Sequence, residues 1–179
     1  MAKTTVSVIK CDVGSVAGHV VVPKPVMKIA DRMLREAEET GLINSHFVFN
    51  AGDDLELLMV HQRGVDNPEI HGLAWKIFQE GAKKATELKL YGAGQDILKT
   101  AFSGNVKGMG PGVAEMEFEE RGSDPIIVFA ADKTEPGAFN YLLFRVFADP
   151  FNTAGLVIDP RMTEGFKFEV LDVLESKKV

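Results

Sequence analysis

Apolar and polar residues alternate between residues 4 and 11, where Val6 and Val8 sit between polar neighbours; this period of two predicts a strand. A loop of small residues follows, Val13-Gly14-Ser15-Val16-Ala17-Gly18-His19. From Pro25 the period changes. Val26, Ile29, Ala30, Met33, Leu34 and Ala37 recur at helical spacing, and Gly41 is a natural stop. Residues 46–51 and 55–61 read as two strands joined as a hairpin by Gly52-Asp53-Asp54. Asn67-Pro68 supplies an N-cap and a proline at the first helical position. Ile70, Leu73, Ala74, Ile77, Ala85 and Leu88 then mark one helical face to about residue 89. The order β-α-β-β-α is the opening of a ferredoxin-like sheet with two helices on one face.

Residues 92–112 break both periods. They carry Gly92, Gly94, Gly104, Gly108, Gly110, Pro111 and Gly112, which suit neither helix nor strand. A loop this long in a compact domain is usually functional or disordered. Tyr91, Gln95, Ser103, Asn105 and Lys107 favour function. Beyond it, Ala114, Met116 and Phe118 alternate with Glu115, Glu117 and Glu119, a half-exposed strand whose acidic face reads as wet. Residues 125–131 read as a fully buried strand. A short helix over 138–147 and strands over 155–158 and 166–173 complete the expectation, with no internal repeat. The fold class is α+β, with mixed or antiparallel sheets covered by helices.

Composition narrows the class without naming a function. The 179 residues, read as one domain over 1–179, are 45% hydrophobic and 26% charged, ordinary for a globular fold that needs no disulfide or metal to hold together. A net charge of −6 argues against nucleic acid or an anionic membrane as the main partner. The single cysteine, Cys11, cannot form an internal disulfide and reads as a small buried hydrophobe. No leader-like or membrane-spanning run is evident, so a cytoplasmic location is expected.

The candidate chemistry is acidic. Asp12, the adjacent Asp53 and Asp54, and Asp132 each lie at the end of an apolar run. Neighbouring carboxylates need a cation or a proton between them. With His19 and Gln95 they make a mostly oxygen donor set, which suits magnesium or manganese better than zinc. Magnesium held by carboxylates usually serves phosphoryl chemistry. Lys133, beside Asp132, suits a phosphate oxygen, and the loop glycines let backbone N–H groups approach one. Each feature also has a plainer reading. Asp53-Asp54 fits an ordinary turn, His19 a structural histidine, Lys133 a solvated strand end, and Trp75 a core or interface residue.

Several longer segments carry a resemblance. They are Val8-Ile9-Lys10-Cys11-Asp12-Val13-Gly14-Ser15-Val16-Ala17-Gly18-His19, Gly52-Asp53-Asp54-Leu55, Tyr91-Gly92-Ala93-Gly94-Gln95-Asp96, Phe102 to Met116, Ala131 to Ala138, and Phe147 to Thr153. Together they resemble the bifunctional fructose-1,6-bisphosphate aldolase/phosphatase family of archaea and deep-branching bacteria. The resemblance runs the whole length in order. It implies a gluconeogenic enzyme that condenses dihydroxyacetone phosphate with glyceraldehyde 3-phosphate and hydrolyses the 1-phosphate of fructose 1,6-bisphosphate. It also implies a four-layer α-β-β-α sandwich, several Mg2+ ions and a homo-octamer.

By motif position the resemblance makes Asp12, His19, Asp53, Asp54, Gln95 and Asp132 metal ligands. Asp12 also helps activate water, and His19, Tyr91, Ser103, Gly104 and Lys133 touch substrate or its phosphates. Family members are about twice as long, so these residues correspond to the N-terminal half. The family's Tyr-Val-Gly-Lys-Asp-Asp segment, which carries the Schiff-base lysine, has no counterpart here. The resemblance therefore implies weak or no activity for these residues alone, and self-association or pairing with a complementing C-terminal half. A stand-alone Mg2+-dependent phosphatase and a non-catalytic module binding a phosphorylated metabolite or a subunit are the alternatives.

Overall fold

The computed structural model describes residues 3–16, 21–94, 97, 111–120, 126–128, 130, 169–172 and 177–178. In chain order the elements are β1 (Lys3–Asp12), α1 (Lys24–Glu39), β2 (Ser45–Ala51), β3 (Asp54–His61), α2 (Pro68–Glu87), β4 (Gly112–Glu119), β5 (Ile127–Val128), β6 (Glu169–Asp172) and β7 (Lys177–Lys178). The expected helix over 138–147 and strand over 155–158 lie outside the described residues. Within the expected 166–173 strand, Glu169–Asp172 is a strand.

β1, β2, β3 and β4 form one antiparallel sheet in the order β2-β3-β1-β4; β5, β6 and β7 form a second, three-stranded sheet. The first sheet and its two helices are the βαββαβ unit that the periodicity predicts. The hairpin is tighter than expected. Ala51 pairs with Asp54, so only Gly52 and Asp53 form the turn, and Asp54 is already the first residue of β3. Gly52 has φ 57° at the first central position, where a type II′ turn places glycine.

Local chemistry sets the helix ends. Asn67 Oδ1 accepts from Glu69 N–H at 3.0 Å and Ile70 N–H at 3.3 Å, capping α2. At the end of α1, Gly41 N–H donates to Glu38 C=O (2.9 Å) and Leu42 N–H to Ala37 C=O (2.9 Å). This is a Schellman closure with glycine at φ 73°.

The sheet has two different faces because side chains alternate along each strand. One face, with Ile9, Cys11, Leu55, Leu57 and Met59, packs against Val26, Ala30 and Leu34 of α1 and Ile70, Ala74, Ile77 and Phe78 of α2. Cys11 is buried there, as expected. The other face carries Val6, Leu58 and Val60, with Phe47, Phe49, Phe118, Ile126 and Val128 against them. Ile126, Val128 and Ala130 are only half-buried, so this run is not the sealed strand expected over 125–131. β3, which lies between β2 and β1, is buried at every position. No helix among the described residues is long and apolar enough to cross a membrane.

Candidate active site

The register of β1 on β3 brings the first acids together. Asp12, the last residue of β1, lies directly opposite Asp54, the first residue of β3. Residues so placed have Cβ atoms about 4.5–5.5 Å apart, and like charges there repel. Asp53 sits one residue earlier, in the turn. All three are withdrawn from water: Asp12 is 9% exposed, Asp53 4% and Asp54 2%.

Each carboxylate is oriented by a different group. Gly14 N–H donates to Asp12 Oδ1 at 3.0 Å. Ser15 Oγ donates to Asp53 Oδ2 at 3.2 Å. Lys10 Nζ makes an ion pair with Asp54 Oδ2. The loop after β1 is in turn stitched to the segment after α2. Ser15 N–H donates to Tyr91 C=O (3.0 Å), Tyr91 N–H to Ser15 C=O (2.9 Å), and Gly94 N–H to Val13 C=O (3.3 Å). Tyr91 therefore joins the acid corner through its backbone, and its side chain is exposed.

Sequence reading missed two residues of this corner, Lys10 and Glu56. They are cross-strand partners, one pleat back from Asp12 and Asp54 on the same face. Glu56 is only 2% exposed. Their signal was parity: Lys10 and Asp12 continue the even-numbered row of Val6 and Val8, so that row turns from apolar to charged at one end. Among the other expected site residues, His19, Gln95, Ser103, Gly104, Asp132 and Lys133 lie outside the described residues.

The donor chemistry of the corner fits a hard cation, since Asp12, Asp53 and Asp54 offer only carboxylate oxygen. Among the described residues, no group of three or more His, Cys, Asp or Glu side chains is placed to enclose an ion. The described corner thus offers part of a ligand set.

Gly14 fixes the position of this loop. Its φ is 118°, and a Cβ there would lie 2.9 Å from Ala93 Cα and 3.0 Å from Ala85 Cβ. Both strain and backbone contact oppose any side chain. Gly14→Ala should therefore destabilise the fold by more than about 1 kcal/mol, read as a lower denaturant midpoint in urea. An unchanged midpoint would show that the loop tolerates displacement.

At the far end of the sheet's helix-covered face lies a second polar cluster, which takes in Glu115, whereas Glu117 and Glu119 are exposed as expected of the acidic strand face. Arg63 N–H donates to His61 Nδ1 (3.2 Å), so His61 Nε2 carries the proton and donates to Ser7 Oγ (2.8 Å). Ser7 donates onward to Glu115 Oε1 at 2.7 Å. Glu115 also accepts from Asp66 N–H (2.6 Å) and meets His71 Nε2 (3.0 Å). Ser7 and His61 are fully buried, so the pair is closed to any substrate and ties β4 and α2 to the sheet.

Burial pushes His61 below its ordinary pKa. Burial alone would raise Glu115, but hydrogen bonds from Ser7, Asp66 N–H and His71 outweigh it and hold Glu115 below the usual range. The signs agree. Below the ordinary histidine value of 6.5 the unfolded chain takes up protons that folded His61 refuses. Below the ordinary glutamate value of 4.5 the same holds for Glu115, whose contribution is lost as pH falls through its folded value. Unfolding free energy should thus fall from pH 7 to pH 4, and Glu115→Gln should flatten the lower part of that slope in urea titrations. An unchanged slope in Glu115→Gln would remove Glu115 from the account.

A βαββαβ unit with a buried carboxylate corner defines a mixed α+β protein. The chain belongs to the fructose-1,6-bisphosphatase family, whose sequence pattern matches residues 3–179. It is 60% identical over 177 residues to the fructose-1,6-bisphosphate aldolase/phosphatase of Methanothermobacter marburgensis, covering 99% of this chain and 48% of that protein. It is 62% identical over 177 residues to the protein of that name in Ignicoccus hospitalis (99% and 46%). It is also 62% identical over 176 residues to the Pyrobaculum neutrophilum protein (98% and 44%). The chain spans about half the length of the curated relatives it matches.

Proposed function

We propose that this chain carries the phosphatase acid corner of a fructose-1,6-bisphosphate aldolase/phosphatase, and that the reaction it serves is hydrolysis of the 1-phosphate of fructose 1,6-bisphosphate. The observation that supports this most is the β1–β3 register, which sets Asp12 against Asp54 beside Asp53, in a member of this family. Asp12, Asp53 and Asp54 would hold Mg2+ or Mn2+, completed by His19, Gln95 and Asp132. Bound there, the cation supplies positive charge against the phosphate oxygens.

The chain's own residues do the positioning. Gly14 N–H holds Asp12 Oδ1, and that carboxylate accepts the proton of the attacking water. Ser15 fixes Asp53. Ser103, Gly104 and Lys133 would meet the phosphates of the substrate. Substrate also meets His19 and Tyr91. The aldol half-reaction on the two triose phosphates needs a Schiff-base lysine from outside these motifs. The whole protein is then a cytoplasmic, gluconeogenic homo-oligomer.

Phosphate release from fructose 1,6-bisphosphate by the natural full-length polypeptide tests this reading. Release should require Mg2+ and fall by at least about a hundredfold in Asp12→Asn, the range for loss of a group that activates the nucleophile. Turnover indifferent to chelator and to Asp12→Asn would end it. Binding of the sugar phosphate without release would favour the binding-module alternative.

A further inference from the structure

We propose that Lys10 is the resident counter-charge of the acid corner: a positioning residue that balances Asp54 until a divalent cation displaces it, whereupon its ammonium serves the anionic oxygens of the ligand. This rests on the cation-binding reading given above.

Three observations carry it. First, Lys10 stands among acids. Its Nζ is on Asp54 Oδ2, its cross-strand partner is the buried Glu56, and Asp12 is two residues along the same face. A doubly charged cation and an ammonium on one carboxylate repel strongly, so cation binding at Asp54 must move Lys10. Second, the pair is lopsided. The Asp54 side chain is 3% exposed and that of Lys10 36%. The ammonium reaches in from the solvent side, so it can withdraw without opening the fold. A lysine stem with its rotatable bonds suits such a move, as a rigid guanidinium fork does not.

Third, the stem lies flat on β4 where that strand offers no side chain. A Cβ at Gly112 would come 3.2 Å from Lys10 Cγ and 3.3 Å from Lys10 Cε. Gly112 does not lie in the left-handed region. Its lack of a side chain therefore serves the lysine rather than the backbone. Gly112 is also the cross-strand partner of Lys10 in the β1–β4 register, so the stem keeps this backbone beside it as the ammonium moves.

The test joins two readouts on the full chain. Amine acetylation, followed residue by residue by mass spectrometry, should show Lys10 protected without metal and at least about threefold more reactive in saturating Mg2+, as an ion pair is lost to solvent. Calorimetric titration should then show opposite signs for Lys10→Met: Mg2+ bound about tenfold tighter, and inorganic phosphate in the presence of Mg2+ bound about tenfold weaker. Lys10→Arg should keep phosphate binding but not the Mg2+-induced change in solvent access, read by an arginine-selective label. Gly112→Ala should raise Lys10 acetylation in metal-free protein, and it keeps the proposal testable if Lys10→Met does not fold.

Lys10 acetylation unchanged by bound Mg2+ would overturn the proposal, as would equal Mg2+ affinity in Lys10→Met and the natural chain. A natural chain that binds no Mg2+, or an Asp54→Asn variant that binds it equally well, would instead show that the cation-binding reading has failed, and Lys10 with it.

Discussion

Phe78→Ala should lower the unfolding free energy by about 3–5 kcal/mol, the usual cost of emptying a buried aromatic site. Phe78 is fully buried on the face of α2 that meets the sheet, in the cluster that also holds Val13 and Val26. Just beyond it, even a Cβ added at Gly81 would be in van der Waals contact, 3.4 Å from Val26 Cγ1 and 3.7 Å from Val13 Cγ1, so little empty space surrounds this turn of the helix. Neighbours so tightly packed cannot easily collapse into the space a phenyl ring leaves. Domains of this kind are stable by only about 5–15 kcal/mol in total, so the loss takes a large share. Val13 follows Asp12, so the cavity also loosens the support of the acid corner. Chemical denaturation should show a large drop in midpoint for Phe78→Ala and a smaller one for Phe78→Leu. Near-equal midpoints for Phe78→Ala and the natural chain would mean that α2 does not anchor the sheet.

The second large effect is on cation binding. Asp54→Asn keeps the side-chain shape but removes the charge that faces Asp12. Its affinity for Mg2+ should fall by at least about a hundredfold, the upper range seen when even an indirect partner of a metal ligand is lost. Without metal, Asp54→Asn loses both the repulsion from Asp12 and the ion pair with Lys10, which oppose each other. The natural chain should gain about 2.7 kcal/mol of stability at a Mg2+ concentration a hundred times its Kd, and the variant almost none. Thermal melts with and without Mg2+ measure that difference. A metal-dependent rise of equal size in both proteins would place the ion elsewhere.

Much of this was legible in the chain because local chemistry and tertiary packing agree. The alternation around Val6 and Val8, the proline-led helices, and the Asn67 cap each specify an element by themselves. The hairpin was legible to within one residue. Adjacent aspartates fit a turn equally well whether both or only one belong to it, and the pairing of Ala51 with Asp54 decides the matter.

What was not legible depends on which face of a strand is covered. Alternation in β4 shows that Glu115, Glu117 and Glu119 share a face, but not that this face meets Ser7 and His71. Glu115 is half-buried in a hydrogen-bonded network with Ser7 and His71, while Glu117 and Glu119 stay exposed. Lys10 and Glu56 were overlooked for a related reason: only strand register reveals that they sit across from each other behind the acid pair. Residues 125–131 are apolar enough for a core strand, yet apolarity alone does not say how much of the chain covers them. The acids at strand ends were found because two strands ending at the same sheet edge must bring their terminal residues together.

Anomalous diffraction from crystals soaked in Mn2+ measures the central claim directly. The account predicts a peak within carboxylate-coordination distance of Asp53 and Asp54, on the side of the sheet edge where Asp12 ends β1, with Lys10 turned away from Asp54. Mn2+ bound only at sites remote from these three aspartates, with Lys10 still on Asp54, would contradict it.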